Sequence, residues 1–304
     1  MSNPAPAPRT DLLVVGGGPA GCAAAVMAAS VGMRSQIVEP GALCGKLRFI
    51  PALGNVLGGH TSGPELAAAI AADVHRCGRC EVRLGVRVTR VTAHKDRVEA
   101  ALSSGERITA AYAVVATGVR PLQPSDADWV TCPAELTLPP LWEADAAPLS
   151  GRQVLLVGAD RPLGTFLRAH PRADVRFLVA HPPADAYKAD EVRGDPRVTL
   201  LPVRHLTLAT TPAGGLRAKT TTAEGTGTHH PEAAFANLGN APAPPEGTLT
   251  TDARGYCPPA RQHPRILIAG DLRSPRNQRI MTAMGSGAEA ALAAYYSSQG
   301  LPPS

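Results

Sequence analysis

A glycine-rich segment near the start of the chain has the residue types and spacing needed to hold a dinucleotide. Gly16-Gly17-Gly18-Pro19-Ala20-Gly21 follows an apolar run, Leu12–Val15, and opens an alanine-rich segment. The pattern predicts a strand, a tight turn and a helix in that order. Gly16 would allow the turn, Gly18 would let a pyrophosphate approach the backbone, and Gly21 would let the helix pack closely. The helix N-terminus would then direct N–H groups and a partial positive charge at the phosphates.

An acidic residue stands at the distance that this interpretation requires. Glu39 follows Gly16 by 23 residues and ends a second apolar run, SQIVE. A carboxylate at the end of that strand would accept hydrogen bonds from the adenosine ribose. With a strand before the turn, a helix after it and the acid at this spacing, dinucleotide binding is favoured over a purely structural glycine turn.

The elements that must position these residues occur twice. DLLVVGGGPAGCAAAVMAAS, from Asp11, and QVLLVGADRPLGTFLRAH, from Gln153, each predict a strand, a glycine-containing turn and a helix. A second strand follows each, ending at Glu39 and at Ala180. The chain is therefore predicted to carry two βαβ units.

The segments around these units complete a coarse secondary-structure prediction. We expect a helix over 63–76, a strand pair in EVRLGVRVTRVTAHKDRVEAALSS, and a strand in AYAVVATG ending at Gly118. The proline-rich stretch 121–149 is predicted to be a connection rather than part of a core. A buried strand, RILIAGD, and a helix over about 278–298 end the fold.

Composition excludes several classes of protein. The 304 residues carry 30 Lys and Arg against 25 Asp and Glu, an excess too small and too evenly spread to indicate a nucleic-acid partner. Apolar content of 44% excludes bulk disorder, and six cysteines are too few for a disulfide scaffold. Glycines and Pro19 interrupt the apolar window 11–30, so we expect no membrane span or signal peptide there, and a cytoplasmic location. The first ten residues are predicted to form a loose tail.

Several motifs together resemble the thioredoxin reductase-like branch of the two-dinucleotide-domain flavoproteins, the class II pyridine nucleotide-disulfide oxidoreductases. The resemblance covers nearly the whole chain. The motifs, in chain order, are GGGPAG, Glu39, Cys44-Gly45-Lys46-Leu47, Asn55, Ala116-Thr117-Gly118, LGNAPAP, Gly270-Asp271 and Gln278-Arg279-Ile280. The resemblance implies an α/β fold of two Rossmann-like nucleotide-binding domains of the three-layer ββα type. The second domain would be inserted in the first and be reduced in size, and the protein would be a homodimer. The implied FAD-binding domain comprises 1–122 plus 237–304, and the implied degenerate NAD(P)-binding-like domain comprises 123–236.

By the same resemblance, Asp271 would hydrogen-bond the ribityl chain of FAD, and the last helix would point its N-terminus at the flavin pyrimidine edge. Asp271 could instead cap the loop that follows it. The FAD-binding residues implied are Gly16, Gly18, Pro19, Ala20, Gly21, Glu39, Pro40, Gly45, Lys46, Leu47, Asn55, Arg87, Val88, Ala116, Thr117, Gly118, Gly270, Asp271, Gln278, Arg279 and Ile280.

Two residues near the expected flavin depart from the family pattern. Lys46 replaces a glutamine, and the order Gln278-Arg279 reverses the usual Arg-Gln pair. A cation beside the isoalloxazine would favour the reduced anion and raise its potential. Both cations could equally lie along the FAD phosphates or in solvent.

The second nucleotide site departs further. Gly158 is kept, but Asp160 occupies the position where a glycine would admit the pyrophosphate, and a carboxylate there would repel phosphate. Ala180-His181-Pro182-Pro183 offers no arginine pair for the 2′-phosphate of NADPH. We therefore predict that NADPH does not bind, with a rearranged NADH site as the alternative.

The redox CxxC of thioredoxin reductases is replaced by Cys132-Pro133-Ala134-Glu135. Cys132 could act alone as a thiolate or be an ordinary loop cysteine. Cys132, Glu135 and Lys46 are weak catalytic candidates, and the catalytic base is unassigned. Another CxxC, Cys77 to Cys80, is predicted at a helix end far from the flavin, where Arg76 and Arg79 could lower a thiol pKa.

Neither the cysteines nor the His229-His230 pair predicts a metal site, and we expect that pair to be solvated. Trp129 and Trp142 are expected near a substrate pocket formed by the inserted domain and its connections.

These features favour an FAD-dependent oxidase that takes two electrons from a small secondary-metabolite substrate and passes them to O₂. The family that the chain resembles includes dithiol oxidases. A thiol-bearing substrate, either free or presented by a carrier protein, is therefore the leading hypothesis. The alternatives are a reductase fed by NAD(P)H or ferredoxin, and a non-catalytic flavin-binding scaffold or sensor. Neither a nucleic acid nor a membrane is expected as a partner.

Overall fold

The computed structural model describes residues 10–212 and 214–301, which form two compact units. One unit comprises the described residues through Val119 together with those from Pro242 onward, and the other comprises Arg120–Ala241. The first half of the chain contains β1 (Thr10–Val15), α1 (Pro19–Ser30), β2 (Ser35–Glu39), α2 (Gly63–Arg76), β3 (Cys80–Leu84), β4 (Val88–Ala93), β5 (Val98–Leu102), β6 (Arg107–Val115), β7 (Val119–Pro121) and β8 (Val130–Thr131).

The second half contains β9 (Gln153–Val157), α3 (Pro162–Ala169), β10 (Arg176–His181), β11 (Val198–Pro202), β12 (His205–Thr210), β13 (Leu216–Thr221), β14 (Thr226–His229), β15 (Ala233–Ala236), β16 (Asn240–Pro242), β17 (Glu246–Gly247), β18 (Ile266–Ile268) and α4 (Ile280–Ser298). Strands β7 and β16, which lie where the chain passes between the units, pair as a two-stranded sheet.

The discontinuous unit is built on a sheet with the strand order β17-β4-β5-β6-β1-β2-β3, in which β18 pairs with β6. Strand β1 runs parallel to both β2 and β6, so that Val15 pairs with Val38 and with Val115. The carboxyl ends of these strands therefore meet at one edge, where the glycine turn, Glu39 and Ala116 follow them. Ligands bind at this edge of parallel sheets.

Successive residues of β1 point to opposite faces of the sheet and enter two separate cores. Leu12 and Val14 pack with residues of α1, α2 and α4, whereas Leu13 and Val15 pack with β4 and β5. The helices thus cover one face and the antiparallel strands the other. This arrangement confirms the predicted α/β, Rossmann-like fold class.

The contiguous unit repeats the same βαβ arrangement in a smaller form. Its parallel sheet has the order β11-β10-β9-β15, and α3 packs on one face. A second sheet, β14-β13-β12-β8, contributes Leu206 and Leu208 to the core on the other face. The second predicted βαβ unit is confirmed.

Three details of the predicted secondary structure are wrong. The stretch 121–149 is not merely a connection, because its apolar residues Val130, Leu138, Leu141 and Leu149 are buried in the cores of the contiguous unit. The predicted strand pair is three strands, since β3 joins the parallel sheet while β4 and β5 form a hairpin. Thr10 begins β1, and the rest of the predicted tail, 1–9, lies outside the described residues. No helix in the described ranges is long and apolar enough to span a bilayer.

Candidate functional site

The glycine turn after β1 combines tightly packed and open positions. A Cβ at Gly16, whose φ is +102°, would lie 2.7 Å from the carbonyl oxygen of Ala116. A Cβ at Gly21 would lie 1.9 Å from the carbonyl oxygen of Gly16. A Cβ at Gly18 would meet nothing within 4 Å. Gly16 and Gly21 are therefore required by the packing of the protein itself, whereas the space beside Gly18 is open to a ligand.

Glu39 is fixed next to this turn by two backbone donors. The N–H of Gly17 donates to Oε2 and the N–H of Gly41 donates to Oε1, each at 2.8 Å. A carboxylate has about four lone-pair sites, so both oxygens keep acceptor capacity for the hydroxyls of a ribose. The predicted strand-end position of this acid is confirmed.

Thr117, just beyond β6, carries an orphaned polar group. Its Oγ1 is buried and has no hydrogen-bond partner among the described residues. Buried hydroxyls in folded proteins are nearly always paired, so this hydroxyl is available to a polar group of a ligand bound at the sheet edge. Gly118 follows with a φ of +64°, which lets the chain turn away from the sheet at this point.

Three of the predicted residues form one charged cluster. Burial raises the pKa of the Asp271 carboxyl, while the positive charges of Lys46 and Arg279 act on it in the opposite direction. The Lys46 ammonium also donates to the carbonyl oxygen of Val119. The Gly270 N–H donates to Ser286 Oγ at 2.8 Å and so joins the turn before Asp271 to α4.

The entry to α4 is held by side chains from the same region. Arg279 is the N-cap residue, so the chain enters the helix through Gln278 and Arg279, and the predicted start at about Gln278 is confirmed to within two residues. The Gln278 amide donates to the carbonyl oxygens of Asp271 and Ser274, at 3.3 and 3.1 Å. The helix N-terminus therefore lies beside the Asp271 turn.

The other predicted cofactor residues are more scattered. Leu47 is buried in the core beneath α1 and α2, and Val88 is buried on the opposite face of the sheet. Pro40, Asn55 and Arg87 are exposed, and none of the hydrogen bonds among the described residues joins them to the glycine turn. Their assignment to the cofactor stays a prediction.

The site makes a testable prediction about stability. Because the folded-state pKa of Asp271 is raised, this residue favours folding most at low pH, and the benefit is lost as the pH rises through the folded pKa. Asp271→Asn should therefore raise the melting temperature of the flavin-free protein at pH 7, with the difference fading below about pH 4. Melting curves of both proteins across pH check this. An equal difference at every pH would contradict it.

The corresponding turn of the contiguous unit is closed by its own residues. Gly158 has a φ of +99°, and a Cβ there would lie 2.4 Å from the Asn237 carbonyl oxygen, as Gly16 lies against Ala116. The Asp160 N–H donates to the same oxygen at 3.0 Å, and the Asn237 amide donates to the Asp160 carbonyl at 2.8 Å. Leu163 stands five residues after Gly158, where Gly21 stands after Gly16. Its side chain is buried in the core of the contiguous unit.

The end of β10 presents no cation. His181 is only 1% exposed, its Nδ1 lies 2.9 Å from the Pro182 carbonyl oxygen, and its Nε2 is buried with no partner among the described residues. The side chain that occupies the expected position of the arginine pair is thus enclosed within the unit.

Two of the thiols singled out from sequence, Cys80 and Cys132, have raised pKa values. Burial, with the nearby Glu135, raises the pKa of the Cys132 thiol, and burial raises the pKa of the Cys80 thiol. A raised pKa reduces the thiolate fraction, so Cys80 does not show the lowered thiol pKa that the flanking arginines could have produced.

Two further candidates from the sequence have ordinary structural surroundings. His229 is not simply solvated, because its Nε2 lies 3.1 Å from Thr220 Oγ1 across the β13–β14 hairpin, whereas His230 is exposed. Trp129 packs against the core of its unit, and Trp142 is half-buried. The described residues include no group of three or more His, Cys, Asp or Glu able to hold a metal.

Sequence reasoning missed a pair of thiols beside the glycine turn. Cys22 and Cys44 are both buried, and their sulfurs lie 3.9 Å apart. Each adjoins or belongs to a motif that was assigned to the cofactor, which is the one signal the sequence offered. Their contact depends on the path of the chain between β2 and α2.

Comparison with known proteins agrees with this geometry. Residues 5–135 match the model of the pyridine nucleotide-disulphide oxidoreductase family. The chain is therefore similar to the pyridine nucleotide-disulphide oxidoreductases over its first 135 residues. It is 27% identical to an alkyl hydroperoxide reductase component of Xanthomonas campestris pv. phaseoli, and 28% identical to an NADH dehydrogenase of Ferdinandcohnia aciditolerans. Both matches cover 94% of this chain but only 56% and 57% of the relatives, so the chain spans little more than half of their length.

A solved structure reproduces the fold of this thioredoxin reductase-like protein. Thioredoxin reductase from Lactococcus lactis matches with a TM-score of 0.75 at 21% identity, covering 96% of this chain and 100% of the other. The open position at Gly18, the Glu39 carboxylate and the orphaned Thr117 hydroxyl fit the phosphates and polar groups of a dinucleotide, and FAD is one such ligand.

Proposed function

We propose that this thioredoxin reductase-like protein is an FAD-dependent oxidase. It would take two electrons from a small thiol-bearing secondary metabolite, free or tethered to a carrier protein, and pass them to O₂ without NADPH. The observation that carries the proposal is the contrast between the two turns. The turn at Gly18 is open, whereas the turn at Asp160 is bonded to Asn237.

The closed turn opposes nucleotide binding for three physical reasons. The Asp160 N–H, which a pyrophosphate would need as a donor, is already bonded to the Asn237 carbonyl oxygen. The Asp160 carboxylate would repel a phosphate. Leu163 stands where the dinucleotide-binding pattern has its third glycine, the residue that permits close packing of the helix behind the phosphates.

In the discontinuous unit, each residue group has a distinct role in holding FAD. The Gly16–Gly21 turn would receive the pyrophosphate and Glu39 the ribose. The FAD group supplies the two-electron chemistry when it is bound. Asp271, whose pKa burial raises, would hydrogen-bond the ribityl chain, while Lys46 and Arg279 provide positive charge in the same cluster.

Anaerobic spectroscopy of the purified flavoprotein tests the proposal. We expect no bleaching of the flavin absorbance by NADPH or NADH, and bleaching by dithiothreitol as a simple dithiol probe. Readmission of O₂ should restore the absorbance and yield one H₂O₂ for each disulfide formed, because dithiol and O₂ give disulfide and H₂O₂. Dithionite serves as the control that the flavin can be reduced. Rapid bleaching by either nicotinamide would overturn the proposal.

A reductase that uses NADH or NADPH is the second candidate, and the names of the relatives favour it. The alkyl hydroperoxide reductase component and the NADH dehydrogenase both cover 94% of this chain. The same titration separates the two functions, because only the reductase gives bleaching that is proportional to the nicotinamide added.

A further inference from the structure

Two buried cysteines meet at the base of the candidate FAD site. Cys22 lies in the first turns of α1, and Cys44 precedes a 3₁₀ helix, Gly45–Phe49. The sulfurs are 3.9 Å apart, and the exposed fractions of the two residues are 0% and 1%. The sequence separates them by 22 residues, so neither belongs to a CxxC motif.

Both cysteines are bonded to the same carbonyl group of the glycine turn. The Cys22 thiol donates to the Gly17 oxygen at 3.3 Å, and the Cys44 backbone N–H donates to that oxygen at 2.8 Å. The Cys44 thiol in turn points at the Cys22 sulfur. The pair therefore connects the start of α1 to the turn that carries Lys46, and both segments border the candidate site.

The backbone conformation of Cys44 is a second, independent observation: this residue has a side chain at a position whose φ favours glycine. Cys44 has a φ of +53°, and Asn277 is the other non-glycine residue with positive φ in the described part of the chain. Glycine adopts this conformation without strain, whereas a residue with a Cβ does not. A cysteine is held there with its side chain fully buried against another cysteine.

We propose that Cys22 and Cys44 form a reversible disulfide that a small peroxide closes. The Cys44 thiolate attacks the O–O bond of H₂O₂, releasing hydroxide and leaving a sulfenic acid on Cys44. The Cys22 sulfur then displaces the hydroxyl group as water, and its proton leaves with that water. In total, two thiols and one H₂O₂ give one disulfide and two waters.

The surroundings set the order and the speed of these steps. The Cys22 thiol donates its proton to the Gly17 carbonyl oxygen, and the hydrogen bond with Cys44 together with burial raises its pKa, so we assign the resolving step to Cys22. The sulfurs must approach from 3.9 Å to about 2.05 Å, which requires a side-chain rotation and a small shift of the Cys44 turn. Because both sulfurs are enclosed, we expect closure over minutes to hours.

Peptide mapping of the full-length protein tests the pair. The folded protein is treated with H₂O₂, quenched with acid, alkylated with N-ethylmaleimide and digested. We expect a peptide linked through Cys22 and Cys44, two hydrogens lighter than the separate thiols, which dithiothreitol converts back. This readout does not require bound FAD or any activity, and so it is independent of the proposed oxidase function.

Matched variants keep the proposal falsifiable. Cys44→Gly removes the attacking sulfur but suits the positive φ, so it should fold and give no linked peptide. The Cys77→Ser/Cys80→Ser double variant removes the other cysteine pair and should give the same link as the wild type. Full alkylation of both cysteines in the peroxide-treated folded protein, or a link to a different cysteine, would overturn the proposal.

Discussion

Gly18→Ala is expected to leave the fold intact and to weaken FAD binding by ~10–100-fold, a loss of ~1.4–2.8 kcal/mol. The φ of −72° at Gly18 suits alanine, and the new Cβ would meet no protein atom within 4 Å. The methyl group would instead occupy the space through which a pyrophosphate approaches the backbone. Flavin content after purification and fluorescence titration of the flavin-free protein measure the effect.

Gly21→Ala is the matched control for this prediction. Its Cβ would lie 1.9 Å from the Gly16 carbonyl oxygen, so α1 or the turn must move, at a cost of about 1–3 kcal/mol of stability. Gly21→Ala should therefore lower both the melting temperature and flavin content, whereas Gly18→Ala lowers flavin content alone. Wild-type FAD affinity in Gly18→Ala would show that the pyrophosphate does not lie beside Gly18.

Gly287→Ala is expected to destabilise the protein by about 2–3 kcal/mol, although replacing a helix-interior glycine by alanine ordinarily stabilises. Gly287 lies in α4, and a Cβ there would come within 1.9 Å of the backbone oxygen of Ala20 in α1. Backbone atoms cannot rotate away as a side chain can, so the two helices would have to separate. Chemical denaturation of the flavin-free protein measures the change.

The same helix provides the control. Gly285 is exposed, and a Cβ there would meet nothing within 4 Å, so Gly285→Ala should stabilise by about 1 kcal/mol through helix propensity alone. Opposite signs for the two substitutions are the expected result. Equal stabilisation by both would mean that α1 and α4 do not approach each other as closely as described.

The sequence alone was sufficient for the parts of the fold that depend on local pattern. The glycine turn, the strand ending at Glu39 and the helix Gly63–Arg76 follow from hydrophobic period, glycine spacing and helix-start signals within short windows. For the turn at Asp160, the sequence predicted the obstructing residue but not the hydrogen bonds that close the turn. The carboxylate was visible in the sequence. The bonds between the Asp160 backbone and Asn237, 77 residues apart in the chain, depend on β9 and β15 lying side by side.

Features that depend on chain path rather than on spacing were missed. Proline content suggested a connection over 121–149, yet Leu138 and Leu141 are buried, because proline disfavours helices and central strands but does not prevent the apolar residues beside it from entering a core. The CxxC motif drew attention to Cys77 and Cys80. The thiols in contact are Cys22 and Cys44, which no local motif joins.

The close packing of α1 against α4 has a consequence for how the protein is made. Helix α1 ends at Ser30, but α4 begins only at Ile280, about 250 residues later in the chain. At ~5–20 residues per second, a ribosome needs ~12–50 s to bridge that interval. During that interval the alanine-rich face of α1 that packs against α4 stays exposed. The contiguous unit Arg120–Ala241 is fully synthesised before α4. Packing of α1 against α4 can therefore begin only after residue 280 has been synthesised, and we expect chaperones to capture nascent chains that are stalled before it.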